Sequence, residues 1–200
     1  MTTFNRKAEE RKARRNLILN GALSVFKEQG IDGATMEQIA TKAGFGTASL
    51  YYYFPKKEDV FSAIMVKGWK QLWDSCQETI ESKNSPKEKF LNILNIISNH
   101  ILKDRNLYSF LFAAPQYSIQ YESEPWKEFQ GKLYKTLEKL LENGMKIGEF
   151  PKIDSKLLFK AIGGSFHGIL LMGNNQNSLT KTDIEKLFSR LLSTSASPHE

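Results

Sequence analysis

The 200-residue chain has one cysteine, Cys76, and six prolines, and no apolar run in it approaches the roughly 18 residues needed to cross a bilayer. A single thiol excludes an intrachain disulfide framework and fits a reducing compartment. The first residues are charged and lack the apolar core of a secretory signal, so a soluble, cytoplasmic protein without a membrane partner is expected. The three histidines are scattered, and no Cys/His/carboxylate cluster has metal-ligand spacing, so neither metal nor cofactor is expected. Nucleophile elbows and phosphate-binding glycine loops are also missing, and an enzyme is not expected. Acidic residues are in deficit. The net charge is +6, which suits a polyanionic partner, and residues 1–15 carry six Lys or Arg against two Glu. Lys7, Arg11 and Arg15 stand at i, i+4 and i+8, a basic stripe if this leader is helical; it reads equally as a solvated tail up to Lys7.

What the chain does have is a dense motif from Thr35 to Lys57, TMEQIATKAGFGTASLYYYFPKK. Thr35 is placed to cap a helix, with Gln38 at the capping-box position. Met36, Ile39, Ala40 and Ala43 repeat at spacings of three and four, and Gly44 supplies the left-handed turn that ends a helix. A second helix is predicted from about Thr47 to Phe54, with Leu50, Tyr51 and Phe54 buried. Thr47, Ala48, Ser49, Tyr52 and Tyr53 then face outward. Small residues at its front allow close approach to base edges, and tyrosine hydroxyls can reach phosphates. Pro55 stops it, and Lys56 and Lys57 open the next helix with positive charge. This is the layout of a helix-turn-helix DNA reader; a helical hairpin with a merely aromatic core is the other reading.

These residues resemble the TetR family of bacterial transcriptional regulators. The likeness rests on Thr35, Met36, Ile39, Ala40, Ala43 and Gly44, then Leu50, Tyr51, Tyr53, Phe54, Lys57 and Glu58. The preceding helix adds Ile18, Ala22, Val25, Phe26 and the terminal Gly30. The resemblance covers about residues 14–62. It implies phosphate contacts from Thr35, Tyr53 and Lys57, and base or nearby backbone contacts from Thr47, Ala48, Ser49 and Tyr52. Gly46 replaces a capping serine of the family, and Lys56 replaces a capping serine or asparagine. Both positions belong to the expected DNA surface.

Beyond Lys57 the pattern is helical throughout, giving an all-α fold. Residues 1–60 would form the DNA-binding domain, and 61–200 a larger ligand-binding and dimerisation domain. One helix is expected over Glu58–Glu81, with Val60, Phe61, Ile64, Met65, Leu72 and Trp73 on its apolar side. Pro86 and Pro125 open further helices, Pro115 stops one, and Gln116–Glu124 reads as a loop. In the next-to-last helix Ala161, Gly164 and Gly168 form a small-residue stripe. In the last, which should start at Thr182 or Asp183, Ile184, Leu187, Phe188, Leu191 and Leu192 form an apolar stripe. Together they predict a homodimer through the last two helices, as the resemblance also implies; packing on their own subunit is the alternative. Aromatics crowd the middle of the chain, and Trp69, Trp73, Phe110, Tyr117, Trp126, Phe129 and Phe166, with His167, are candidates to line an effector pocket. Aromatics at helical spacing also serve as plain core, and His100 reads as structural.

The expectation is a ligand-responsive repressor that binds a palindromic double-stranded DNA operator as a dimer. A small apolar or aromatic effector would release it. A helical carrier with a vestigial DNA-binding unit and a membrane-surface protein using the basic leader are the rival readings.

Overall fold

The computed structural model describes residues 3–113, 124–171 and 180–192, and every regular element among them is an α-helix. In chain order these are α1 (Thr3–Gly33), α2 (Met36–Ala43), α3 (Thr47–Tyr53), α4 (Lys57–Glu81), α5 (Pro86–Lys103), α6 (Arg105–Ala113), α7 (Pro125–Lys146), α8 (Ser155–Leu171) and α9 (Lys181–Leu192). Tyr117 lies outside the described residues, as does the loop expected around it.

The basic leader is part of α1. Its residues 6–15 are exposed on every side, and the buried stripe begins at Ile18 and continues through Ala22, Val25 and Phe26. Gly30, at φ 74° and ψ 172°, breaks the helix near its end, as only glycine does without strain. α2 crosses α1 at Gly21, where a Cβ would stand 2.8 Å from the Ala43 backbone nitrogen. α3 and the residue after it join the same small core through Leu50 and Phe54.

α4 runs without interruption from this three-helix unit into the larger bundle. It buries Val60, Phe61, Ile64, Met65, Trp69, Leu72 and Cys76, whereas Trp73 is only half-buried. Burial pushes the Cys76 thiol up to about 12, so it stays protonated and inert. α5 is the central helix of the bundle and packs on α4, α7 and α9. Its start is held by Ser85 Oγ, which accepts from the Glu88 N–H, and by the Glu149 carboxylate, which accepts from the Lys87 N–H at 2.9 Å.

α9 begins at Lys181, earlier than the pattern predicts. Thr180 Oγ1 accepts from the Asp183 N–H at 3.2 Å, and Asp183 Oδ2 accepts from the Thr180 N–H at 3.1 Å and hydroxyl at 2.8 Å. These bonds favour the carboxylate, and the Asp183 carboxyl is held below its ordinary range. The stripe on α9 divides. Ile184 and Phe188, expected to face a second subunit, are 0% and 1% exposed and pack into the chain's own core beside α5. An amphipathic stripe does not itself state which surface will cover it, and here the same subunit does. Leu187 remains 46% exposed, and the Leu191 side chain lies outside the described residues.

Candidate nucleic-acid interface and effector cavity

The turn between α2 and α3 forms as its residues dictate. Thr35 Oγ1 accepts from the Gln38 N–H at 3.3 Å while Gln38 Oε1 accepts from the Thr35 N–H at 2.9 Å, a reciprocal capping box. Gly44 adopts φ 74°, and its N–H bonds back to the Thr41 carbonyl. α3 then presents Ala48, Ser49 and Tyr52 to solvent; Tyr52 is 72% exposed. Thr47 is half-covered. Gly46 starts α3 without a side-chain cap, and Lys56 does the same for α4.

Three residues of the motif sit otherwise than expected. Tyr51 is 48% exposed, because a seven-residue helix has only one inward direction and Leu50 takes it, with Phe54 completing the contact beyond the helix end. Tyr53 packs partly on the core instead of facing fully outward. Lys57 is tied into the fold: its ammonium donates to the carbonyls of Asp32 at 2.8 Å and Ala34 at 3.0 Å, just beyond the break in α1. That ammonium caps carbonyls left open where α1 ends, so Lys57 is not presented to a phosphate as the motif implies. Lys56, beside it, is exposed.

The basic stripe of α1 comes to lie against α3. The Arg11 guanidinium sits 5.8 Å from the Tyr52 ring centre and that of Arg15 4.3 Å from Phe54. Burial first, and then the neighbouring charge of Arg11, pull the Arg15 guanidinium below its ordinary value, though both remain cations. Exposed small residues on α3, tyrosine and arginine beside them and Lys56 at the edge make one surface suited to a polyanion.

The bundle contains a cavity of about 340 Å³ between α5, α6, α7 and α8. Its walls include Phe90, Leu94, Ile97, Phe112, Leu137 and Phe159. Of the residues expected to line it, Phe166 and His167 do. The other described ones do not. Trp69 and Trp126 are 0% and 1% exposed within the packed core, and Phe110 is buried against Phe26. Trp73 is half-buried away from the cavity, and Phe129 lies beside Lys70 and Lys132. Phe112, one of the aromatics that crowd the middle of the chain, does line it, and so does Tyr134, which the sequence does not single out; nothing in an aromatic's local spacing says whether it borders packed core or a void. Trp69 stands just behind this wall, edge-on to Phe112 at 5.5 Å and to Tyr134 at 5.7 Å.

α6 touches both regions with consecutive side chains. Phe110 stacks on Phe26 of α1 at 6.1 Å and meets Phe61 of α4 edge-on at 5.9 Å. Leu111 fills a notch in α4 at Gly68, where a Cβ would stand 2.5 Å from Leu111 Cδ2. Phe112 lines the cavity. Nearby, His100 joins three helices: its Nε2 is 2.8 Å from Ser75 Oγ of α4, and its Nδ1 is 3.0 Å from the Tyr108 hydroxyl of α6.

A capped two-helix turn with an exposed polar face, set on a helical bundle with its own cavity, defines the class of helix-turn-helix proteins with an effector-type core. The N-terminal segment, residues 18–64, matches the family model described as bacterial regulatory proteins, tetR family. This helix-turn-helix segment is thus similar to those of the TetR family. It is 36% identical over 63 residues to the HTH-type transcriptional regulator RutR of Escherichia coli K12, a match covering 32% of this chain and 30% of that protein. It is 28% identical over 90 residues to the fatty acid metabolism regulator protein of Bacillus subtilis, covering 45% of this chain and 46% of that one. The chain thus matches under half the length of these curated relatives. Across the whole fold it resembles the Bacillus subtilis transcriptional regulator FadR solved in complex with stearoyl-CoA, with a TM-score of 0.66 at 22% identity, covering 88% of this chain and 97% of that one. No described helix is long and apolar enough to cross a membrane.

Proposed function

We propose that this protein is a cytoplasmic, homodimeric transcriptional repressor that binds a palindromic operator and is released by a small apolar effector. The observation that carries the reading is α6, which sets Phe110 into the core of the helix-turn-helix unit and the adjacent Phe112 into the cavity wall. A ligand that moves Phe112 has a packed route to α1 and α4. It alters DNA affinity only by its differential affinity for the two arrangements. A division near residue 60 separates the operator-reading unit from the effector and dimer unit.

Thr35, Thr47, Ala48, Ser49 and Tyr52 would face the operator. Tyr53, Lys56 and the α1 arginines would contact its backbone, with Gly46 allowing close approach. A dimer is supported by the outer face of α8, where Leu157, Ala161 and Gly164 are exposed and a Cβ added to Gly164 would meet nothing within 4 Å among the described residues. Half-buried Gly168 and exposed Leu187 would extend that face.

Selection of duplexes from a random DNA pool, at two salt concentrations, tests the DNA reading. A recovered palindrome with half-sites about one helical turn apart is expected. Salt-sensitive binding without a motif would instead favour a helical carrier whose DNA-binding unit is vestigial. Ser49→Ala should relax the preference at one base position and leave the others unchanged.

A further inference from the structure

The cavity wall is apolar except along one side. There α8 sets Lys160, Gly163, Gly164 and His167 at i, i+3, i+4 and i+7, one face of the helix. The two glycines leave the backbone bare between the two nitrogen-bearing side chains, over an axial span of about 10 Å. Among the described residues neither glycine is demanded by packing, since a Cβ at each would meet nothing within 4 Å. α8 contains two lysines and no acid along Ser155–Leu171. Among the described residues no carboxylate lines the cavity and Lys160 has no ion-pair partner. The Tyr134 hydroxyl on the opposite helix, hydrogen-bonded to the Gln130 side chain, is held neutral, burial raising it to about 12. The site therefore offers an apolar chamber with an entrance that carries positive charge and hydrogen-bond donors.

We propose that the cavity takes an apolar monocarboxylic acid of medium chain length, with its tail among Phe90, Leu94, Ile97 and Phe112 and its carboxylate at the α8 rim beside Lys160 and His167. The inference rests on the effector reading above and names the ligand class for it. Charge complementarity selects an anion, and the apolar wall selects a single hydrocarbon body. The volume of 340 Å³ bounds the size. That is many times the roughly 10–15 Å³ that one water needs, so the cavity admits a medium-length hydrocarbon such as the chain of decanoate. One lysine and one histidine suit a single carboxylate better than a coenzyme A headgroup with its several phosphates.

The test is calorimetric titration of the full chain with decanoate, decan-1-ol, decyltrimethylammonium and decanoyl-coenzyme A, below their micellar concentrations, repeated on Lys160→Met. Lys160 is exposed, so this variant should fold, which its thermal unfolding will verify. Decanoate should bind about tenfold more tightly than decanol, and Lys160→Met should remove that advantage while leaving decanol unchanged. Decanol or the ammonium binding as tightly as decanoate would overturn the assignment of the rim. So would a Lys160→Met protein that keeps full decanoate affinity, or a thioester that binds more tightly than the free acid. If none of the four binds, the ligand class is wrong, whereas the duplex selection judges the DNA reading separately.

Discussion

Two adjacent lysines, Lys56 and Lys57, look alike in the motif and do different work in the fold. Lys57 holds two carbonyls at the end of α1, at 2.8 and 3.0 Å, whereas Lys56 is exposed. Lys57→Ala should therefore lower the stability of the N-terminal unit by about 1–2 kcal/mol, the scale of charge-assisted bonds at a partly exposed site. Lys56→Ala should leave stability unchanged and reduce the salt slope of DNA binding by about one unit. Urea unfolding and affinity at several salt concentrations separate the two. His100 offers a second residue-level prediction. Burial, and then the nearby charge of Lys103, hold its imidazole below its ordinary value. Its Nδ1 can accept from the Tyr108 hydroxyl only when unprotonated, with the Nε2 proton then directed at Ser75 Oγ. A depressed folded value means that the unfolded chain binds the proton more readily. The stabilisation is thus present above the ordinary histidine range near 6.5 and is lost as the pH falls through the folded value. Melting curves between pH 8 and pH 5 should fall more steeply for the native protein than for His100→Gln.

At the scale of elements, the crossing of α1 and α2 depends on Gly21. A methyl there would meet the backbone of Ala43 at 2.8 Å, and backbone cannot rotate away. Gly21→Ala should cost about 1–3 kcal/mol, the range for overpacking, and should weaken operator binding by tilting the α2–α3 turn; thermal unfolding and a DNA titration measure both. Much about these elements was legible beforehand. Thr35 with Gln38, Gly44, Pro86 and Pro125 mark helix ends through short-range bonds and backbone preferences that need no distant partner. Tyr51 and Lys57 depart from what the motif predicts because a seven-residue helix does not average its periodicity, and because Lys57 answers to carbonyls more than twenty positions away. Gly21 carries no signal as a contact residue until the second helix is laid across it.

For the whole molecule, the decisive surface is the outer face of α8. Gly164 lowers helix propensity by roughly 1 kcal/mol against alanine, with no neighbour among the described residues to require it. In the proposed dimer that cost is offset by close approach of the partner. Gly164→Ala should then stabilise the isolated subunit by about 0.5–1 kcal/mol, whereas Ala161→Glu should convert the dimer to monomers and abolish tight binding to a palindrome. Sedimentation velocity and an operator titration test this. A monomeric native protein would overturn it.

The sequence by itself determined the helix-turn-helix unit, the helical course of the described residues and most of the helix boundaries. Those follow from caps, turns and apolar repeats acting over a few residues. Only the tertiary structure decided that Trp69, Trp126 and Phe110 are core while Phe112 and Tyr134 border a cavity. It also decided that Ile184 and Phe188 turn inward and that Lys57 is occupied. An amphipathic stripe says that a face will be covered; which face covers it, and whether a void remains between them, depends on how helices distant in sequence meet.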